Sequence, residues 1–235
     1  MAVRNKRPDL NGVIVVDKPL GWTSADVCRR LRSRTNGAKV GHAGTLDPLA
    51  TGVLVVCLGK ATKLIESIQA SEKLYVTTID LSAFTTTDDA EGEREEITVD
   101  RPPTLEAVRA ACDALTGETM QTPPAFSAVK VGGKRAYALA RKGEDVRINA
   151  KVVVIHEIAI DRYDWPTLEL SIRCGKGTYI RAIARDLGAA LGTGGTLLAL
   201  RRTRIGEYTL DLAINPEELL DRIDTIHDLG GTPTD

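Results

Sequence analysis

At 235 residues, 43% hydrophobic and 27% charged, the chain has the balance of a soluble globular protein and is long enough to bury a sizeable core. No uninterrupted apolar run approaches the ~18 residues of a membrane helix, and the polar, basic start from Met1 to Asn11 lacks the apolar stretch of a secretory signal, so a cytoplasmic protein is expected. The net charge of −1 hides alternating blocks: +6 over residues 1–66, −8 over 67–125, +8 over 126–206 and −7 over 207–235. Two basic blocks around an acidic one fit a positive face for a polyanion, or two ordinary solvated surfaces.

Aromatic residues make up only 4%, so the core must be mostly Val, Ile, Leu and Ala. In chain order, the β-branched run Gly12–Pro19 predicts a strand, and Thr23 opens a T-x-x-D cap for a helix to about Arg34. Residues 39–51 are Gly-rich and read as a loop; Val53–Leu58 reads as a buried strand. A strand over Leu74–Ala83 and an acidic loop over Thr85–Glu96 follow. Thr104–Leu115 has helical apolar spacing and stops at Gly117. Residues 119–134, with Pro123-Pro124 and Gly132-Gly133, predict a loop or short hairpin, and Arg135–Lys142 a short helix. Val152–Arg162 and Thr167–Cys174 predict a hairpin, the second arm alternating cleanly. Thr178–Leu191 predicts a helix with Thr178 as its cap, and Asn215-Pro216-Glu217-Glu218 a helix start. Strands and helices mix without strict βαβ alternation, which predicts an α+β fold with a largely antiparallel sheet.

Cys28, Cys57, Cys112 and Cys174 are far apart and lie among apolar residues, as small core hydrophobes do. No C-x-x-C pair exists, and His42, His156 and His227 are widely separated, so no metal site is readable. The densest segment is Gly41-His42-Ala43-Gly44-Thr45-Leu46-Asp47-Pro48-Leu49-Ala50-Thr51-Gly52-Val53-Leu54. Its glycines and proline fix an unusual backbone path, able to hold one carboxylate rigidly. From chemistry alone Asp47 could be a nucleophile, a base, a metal ligand or a turn-capping Asp, and Asp before Pro favours the turn.

The same segment resembles the active-site loop of the bacterial tRNA pseudouridine synthase B family. Further matches run in family order: Asp17-Lys18-Pro19-x-Gly21-x-Thr23-Ser24, Lys73-Leu74-Tyr75, Thr87-Asp88-Asp89-Ala90-Glu91-Gly92, Gln121-x-Pro123-x-x-Ser127-Ala128-x-Lys130, Arg135-Ala136-Tyr137-x-x-Ala140-Arg141-x-Gly143, Gly175-Lys176-Gly177-Thr178-Tyr179-Ile180-Arg181 and Leu200-Arg201-Arg202-Thr203-x-x-Gly206. Phe126 stands where the family usually has Tyr.

The resemblance implies the pseudouridine synthase fold, a curved, mixed, largely antiparallel sheet flanked by helices with a central catalytic cleft. It implies isomerisation of a T-arm uridine of tRNA, position 55, without cofactor or metal. Asp47 would be the catalytic carboxylate, at C1′, at the uracil ring or in assisting cleavage. A carboxylate facing a dry pocket needs a cation nearby to stay ionised. Arg181, expected in the first turn of a helix where its charge opposes the dipole, is the candidate; a solvent-facing Arg is the alternative. Tyr75 would stack on the uracil and Leu200 wall the pocket, although a half-buried strand Tyr and a core Leu are ordinary.

The target base must leave its stack, and His42 would fill the space, unless it is a neutral turn His bonding locally. Lys18, Lys176, Lys130 and Arg141 would bind RNA, with Lys176 about as readily a plain surface Lys. Residues 127–151, with seven Lys and Arg against two acids, would form a basic insertion gripping the T-arm backbone. The expected division is a basic tail over 1–11, a catalytic domain over 12–215 and an acidic helical tail over 216–235, too short for the PUA module that many members carry. The expected partner is the tRNA T-arm stem-loop, bound by a monomer with no membrane and no obligate protein partner. A non-catalytic tRNA-binding protein would predict decay at Asp47, Tyr75 or Arg181. A methyltransferase would need a cofactor site, and no G-x-G-x-x-G follows a strand.

Overall fold

The computed structural model describes residues 10–35, 37–127, 129–140 and 148–222. Their order is β1 (Gly12–Lys18), α1 (Ser24–Thr35), β2 (Val40–Ala43), β3 (Ala50–Leu58), a 3-10 turn (Gly59–Leu64), α2 (Ile65–Ala70), β4 (Lys73–Asp80), β5 (Ala83–Thr85), β6 (Arg94–Glu96), α3 (Leu105–Leu115) and β7 (Gly117–Gln121). Then come β8 (Lys130–Val131), β9 (Lys134–Arg135), α4 (Ala136–Ala140), β10 (Lys151–Asp164), β11 (Thr167–Cys174), α5 (Ile180–Leu191), β12 (Thr196–Ile205), β13 (Tyr208–Thr209), a 3-10 turn (Leu210–Leu212) and α6 (Pro216–Arg222). This is the expected α+β class.

Contacts divide the chain into one unit of Met1–Tyr75 with Arg201–Asp235 and another of Val76–Leu200, so that β4 and β12 each contribute to both. In the first unit β3 pairs antiparallel with β1, Gly12 opposite Leu58 through Lys18 opposite Gly52, and with β2, Val40 opposite Leu58 through Ala43 opposite Val55. β3 is buried almost throughout, which its unbroken apolar run requires. Val15, Ala43, Val53, Val55, Cys57, Ala61, Ile68 and Ile205 form one core there. α1 starts on the predicted box: the Asp26 amide donates to Thr23 Oγ1 at 3.0 Å and the Thr23 amide to Asp26 Oδ2 at 2.9 Å.

In the second unit β4, β11, β10 and β7 lie in that order, with β10 antiparallel to both β11 and β7. Leu168, Leu170, Ile172 and Cys174 of β11 are all buried, as the alternation predicted. α3 packs on α5 and β10, burying Val108 and Cys112. Thr104 caps α3 through Ala107 N at 3.2 Å. All four cysteines are buried free thiols, burial driving those of Cys28, Cys57 and Cys112 up to about 11.

Several expectations are corrected. The stretch read as a loop over 39–51 contains β2, and β3 begins at Ala50, because glycines mask pairing whose partner is distant in sequence. α3 ends at Leu115, just before the expected stop at Gly117, but β7 over 117–121 takes the first residues of the expected 119–134 loop; the stretch after it and the short β8–β9 hairpin match. The strand expected to reach Ala83 stops at Asp80, and the acidic stretch pairs β5 with β6. The strand β12 was not anticipated: two consecutive arginines, one of them wholly buried, break its apolar pattern. Thr178 does not cap α5; the N-cap is Tyr179, without a side-chain bond, and Thr178 Oγ1 donates to Gly175 O instead.

Candidate active site

In the first unit the loop carrying Asp47 leaves β2 and returns as β3. Ser24 clasps it in both senses: the Leu46 amide donates to Ser24 Oγ at 2.8 Å, and Ser24 Oγ donates to Leu46 O at 3.1 Å. The Gly21 amide donates to Pro48 O at 2.8 Å, and Gly21 holds φ +80, a conformation that favours glycine. Lys18, with no exposed surface, donates from Nζ to Pro19 O at 2.9 Å, Trp22 O at 2.6 Å and Pro48 O at 3.5 Å. Burial pulls its ammonium down to about 8; the Asp47 carboxylate opposes that shift and Arg202 adds to it. The K-P-x-G-x-T-S segment therefore holds Leu46 through Ser24 and Pro48 through Gly21 and Lys18.

His42 lies on β2 opposite Val56, a strand position rather than a turn. Its Nδ1 is buried with no hydrogen-bond partner among the described residues. Burial, then the charge of Arg202, lower its pKa, against a backbone bond with Gly44, so the ring is held neutral. Tyr75, at the end of the first unit's share of β4, is buried, not half-buried.

In the second unit Arg181 stands in the first turn of α5, 6% exposed. Its solvent-facing alternative is excluded by that burial. Nη1 pairs with Asp89 Oδ2 at 3.2 Å and donates to Thr87 O at 3.2 Å; Nη2 donates to Phe126 O at 3.0 Å. The other oxygen of Asp89 accepts from Thr87 Oγ1 and from the Glu91 amide. A negative group thus compensates a cation set against the helix dipole. Position 126 contributes a backbone carbonyl, which Phe and Tyr supply equally.

The helix start is fixed by Gln121, 1% exposed: its Nε2 donates to Tyr179 O at 3.1 Å and its Oε1 accepts from the Tyr179 amide at 2.8 Å. Beside this pair, Arg185 donates to Asp88 Oδ2 at 2.9 Å and to Thr122 O at 2.9 Å. Burial raises the Asp88 pKa despite that guanidinium.

Lys176 is exposed in the turn before α5. Lys151 lies over the Tyr179 ring, its ammonium 4.8 Å from the centroid. Leu200 is buried on β12. Arg141 and the Lys130 side chain lie outside the described residues, as does much of the expected basic insertion. No group of three or more His, Cys, Asp or Glu side chains among the described residues could hold a metal ion. No described helix is long and apolar enough to cross a membrane. Sequence reading missed the roles of Asp89, Gln121, Ser24 and Arg202; each lies in a motif already quoted, but their polar character gave no sign that they would be buried.

Comparison with known proteins gives the class to which this fold belongs. Residues 31–180 match the model of the TruB family pseudouridylate synthase N-terminal domain, and residues 181–229 that of the tRNA pseudouridylate synthase B C-terminal domain. The chain belongs to the TruB pseudouridylate synthase family. It is 49% identical over 223 residues to tRNA pseudouridine synthase B of Arthrobacter sp. (strain FB24), covering 92% of this chain and 73% of that one. It is 51% identical over 217 residues to the protein of the same name from Thermobifida fusca (strain YX), covering 89% and 74%. A chain in the crystal structure of a Cbf5-Nop10-Gar1 complex superposes with a TM-score of 0.71 at 28% identity, covering 92% of this chain. This chain spans 55% of that solved one. The C-terminal model reaches residue 229, beyond the expected catalytic domain of 12–215.

Proposed function

We propose that this protein isomerises uridine to pseudouridine in the T-arm loop of tRNA, at position 55, with Asp47 as the essential carboxylate. The reaction breaks the N1–C1′ bond, turns the uracil and joins C1′ to C5; N1 gains a proton and C5 loses one, so no oxidant or co-substrate is consumed. The observation that carries the reading is the clasp on Leu46–Pro48, in which Ser24, Gly21 and Lys18 fix the backbone around one carboxylate. Such fixing supplies the orientation that a glycosidic carbon requires. Tyr75 stacks on the uracil, Leu200 walls the pocket and Arg181 is the fixed cation of the second unit. His42, held neutral, takes the place of the extruded base, which suits an aromatic ring better than a solvated imidazolium. Lys18 supports the loop from within, and its buried ammonium argues against direct RNA contact. Lys176, Lys130 and Arg141 contact RNA phosphates. The protein acts as a cytoplasmic monomer without an obligate protein partner.

The C5 proton gives the test. A tRNA transcript carrying tritium at uridine C5 is expected to release label to water, and a transcript with cytidine at position 55 to release none. Release that is independent of position 55 would contradict the assignment of the target, and no release from either full tRNA or hairpin would contradict the activity.

A further inference from the structure

The segment from Gly44 to Val53, with Asp47 inside it, closes on a guanidinium. Arg202 stands on β12 and is 1% exposed. Its Nε donates to Val53 O at 2.8 Å and its Nη2 to Gly44 O at 3.1 Å. Those carbonyls precede and follow Asp47 in the chain, so one planar fork ties the start of the loop to β3. The backbone is equally close. A Cβ on Gly52, which holds φ +97, would meet the Arg202 carbonyl oxygen at 2.2 Å, and one on Gly44, at φ +86, would meet Arg202 Nη1 at 3.3 Å. The neighbouring Arg201 points the other way, to Asp17 Oδ2 at 2.8 Å and Thr51 Oγ1 at 3.3 Å.

Arg202 makes no ion pair with a carboxylate among the described residues. A buried cation without a counter-charge is costly, and two neutral carbonyls offset only part of that cost. Core filling alone would be served as well by an apolar side chain. The charge reaches the loop's neighbours, since Arg202 helps to depress both Lys18 and His42.

We propose that Arg202 is a positioning residue for the isomerisation, setting the path of the Gly44–Val53 segment and hence the placement of the Asp47 carboxylate. The proposal rests on the reading of Asp47 as the catalytic carboxylate. Arg202 touches no substrate; it acts through the two carbonyls. Lysine carries the same charge but donates from one nitrogen, without the planar, spaced N–H groups with which the guanidinium meets Val53 O and Gly44 O separately.

The test compares Arg202→Lys, Arg202→Met and Asp47→Asn with the unchanged protein on a T-arm hairpin, reading kcat, hairpin affinity and thermal melting. Both Arg202 variants are expected to bind within about twofold of the unchanged protein. Their kcat should fall by about tenfold to a hundredfold, with the Lys variant the more active. A folded Arg202→Met protein with unchanged kcat overturns the proposal, as does a loss of kcat that only follows the loss of folded protein. If the Met variant fails to fold, the folded Lys variant decides: reduced kcat with intact binding supports the proposal, and unchanged kcat overturns it. Failure of both to fold assigns Arg202 to the core alone and overturns it too. Full activity in Asp47→Asn would remove the reading of Asp47 itself, separately from any result at Arg202.

Discussion

Arg181 and Lys18 show two ways of keeping a cation out of water. Arg181 meets a carboxylate, with exposures of 6% and 3% for the Arg181–Asp89 pair. Asp89→Asn would leave a buried guanidinium short of its partner, at a cost of about 3–5 kcal/mol in stability. A lower urea midpoint and a lower kcat should appear together; an unchanged midpoint would contradict the pairing. Lys18 instead meets only carbonyls through the bonds described, and burial brings it to about 8 from an ordinary 10.5. Below pH 8 both folded and unfolded chains hold the proton, and this group adds no pH dependence. Between 8 and 10.5 the unfolded chain binds the proton that the folded one has released, so this group's contribution to stability rises with pH. The loop meanwhile loses the ammonium that grips Pro48 O. The expected profile is a kcat that declines as pH rises through about 8, with the decline absent in Lys18→Met. The same decline in both proteins would contradict the account.

Among the elements, the helix start at Tyr179 matters most, because it aims Arg181. Gln121→Ala would remove the two bonds it makes to the Tyr179 backbone, the carbonyl keeping the Ile183 amide; the loss of about 1–3 kcal/mol should lower kcat more than hairpin affinity. Equal effects on both would argue for a general loosening. Gly52→Ala would force a Cβ to within 2.2 Å of a backbone oxygen at φ +97 and should cost about 3 kcal/mol, read as a fall in melting temperature. The elements that could be read in advance are those with local signals. The Thr23–Asp26 box, the Thr104 cap and the alternation of β11 all depend on residues a few positions apart. What escaped depends on distant partners. β2 is short and glycine-bearing and exists because β3 pairs with it; β12 hides a buried arginine; α5 is held by a side chain 58 residues upstream.

For the whole molecule, the family was legible because its motifs run in order along most of the chain. The reason those motifs travel together was not. Lys18, Gly21 and Ser24 accompany the Asp47 loop because they hold it, and Asp89 and Gln121 accompany Arg181 for the same reason. RNA affinity should be chiefly electrostatic, with log Kd for the hairpin rising linearly with log salt concentration and the slope falling by about one in Lys176→Ala. A slope unchanged in that variant would place Lys176 off the RNA. The central claim is that Asp47 drives uridine isomerisation, and it is tested most directly by incubating an unmodified T-arm transcript with the protein or with folded Asp47→Asn, digesting the RNA and separating its nucleosides. Pseudouridine from the unchanged protein and none from the variant is the predicted result; equal pseudouridine from both would contradict the account.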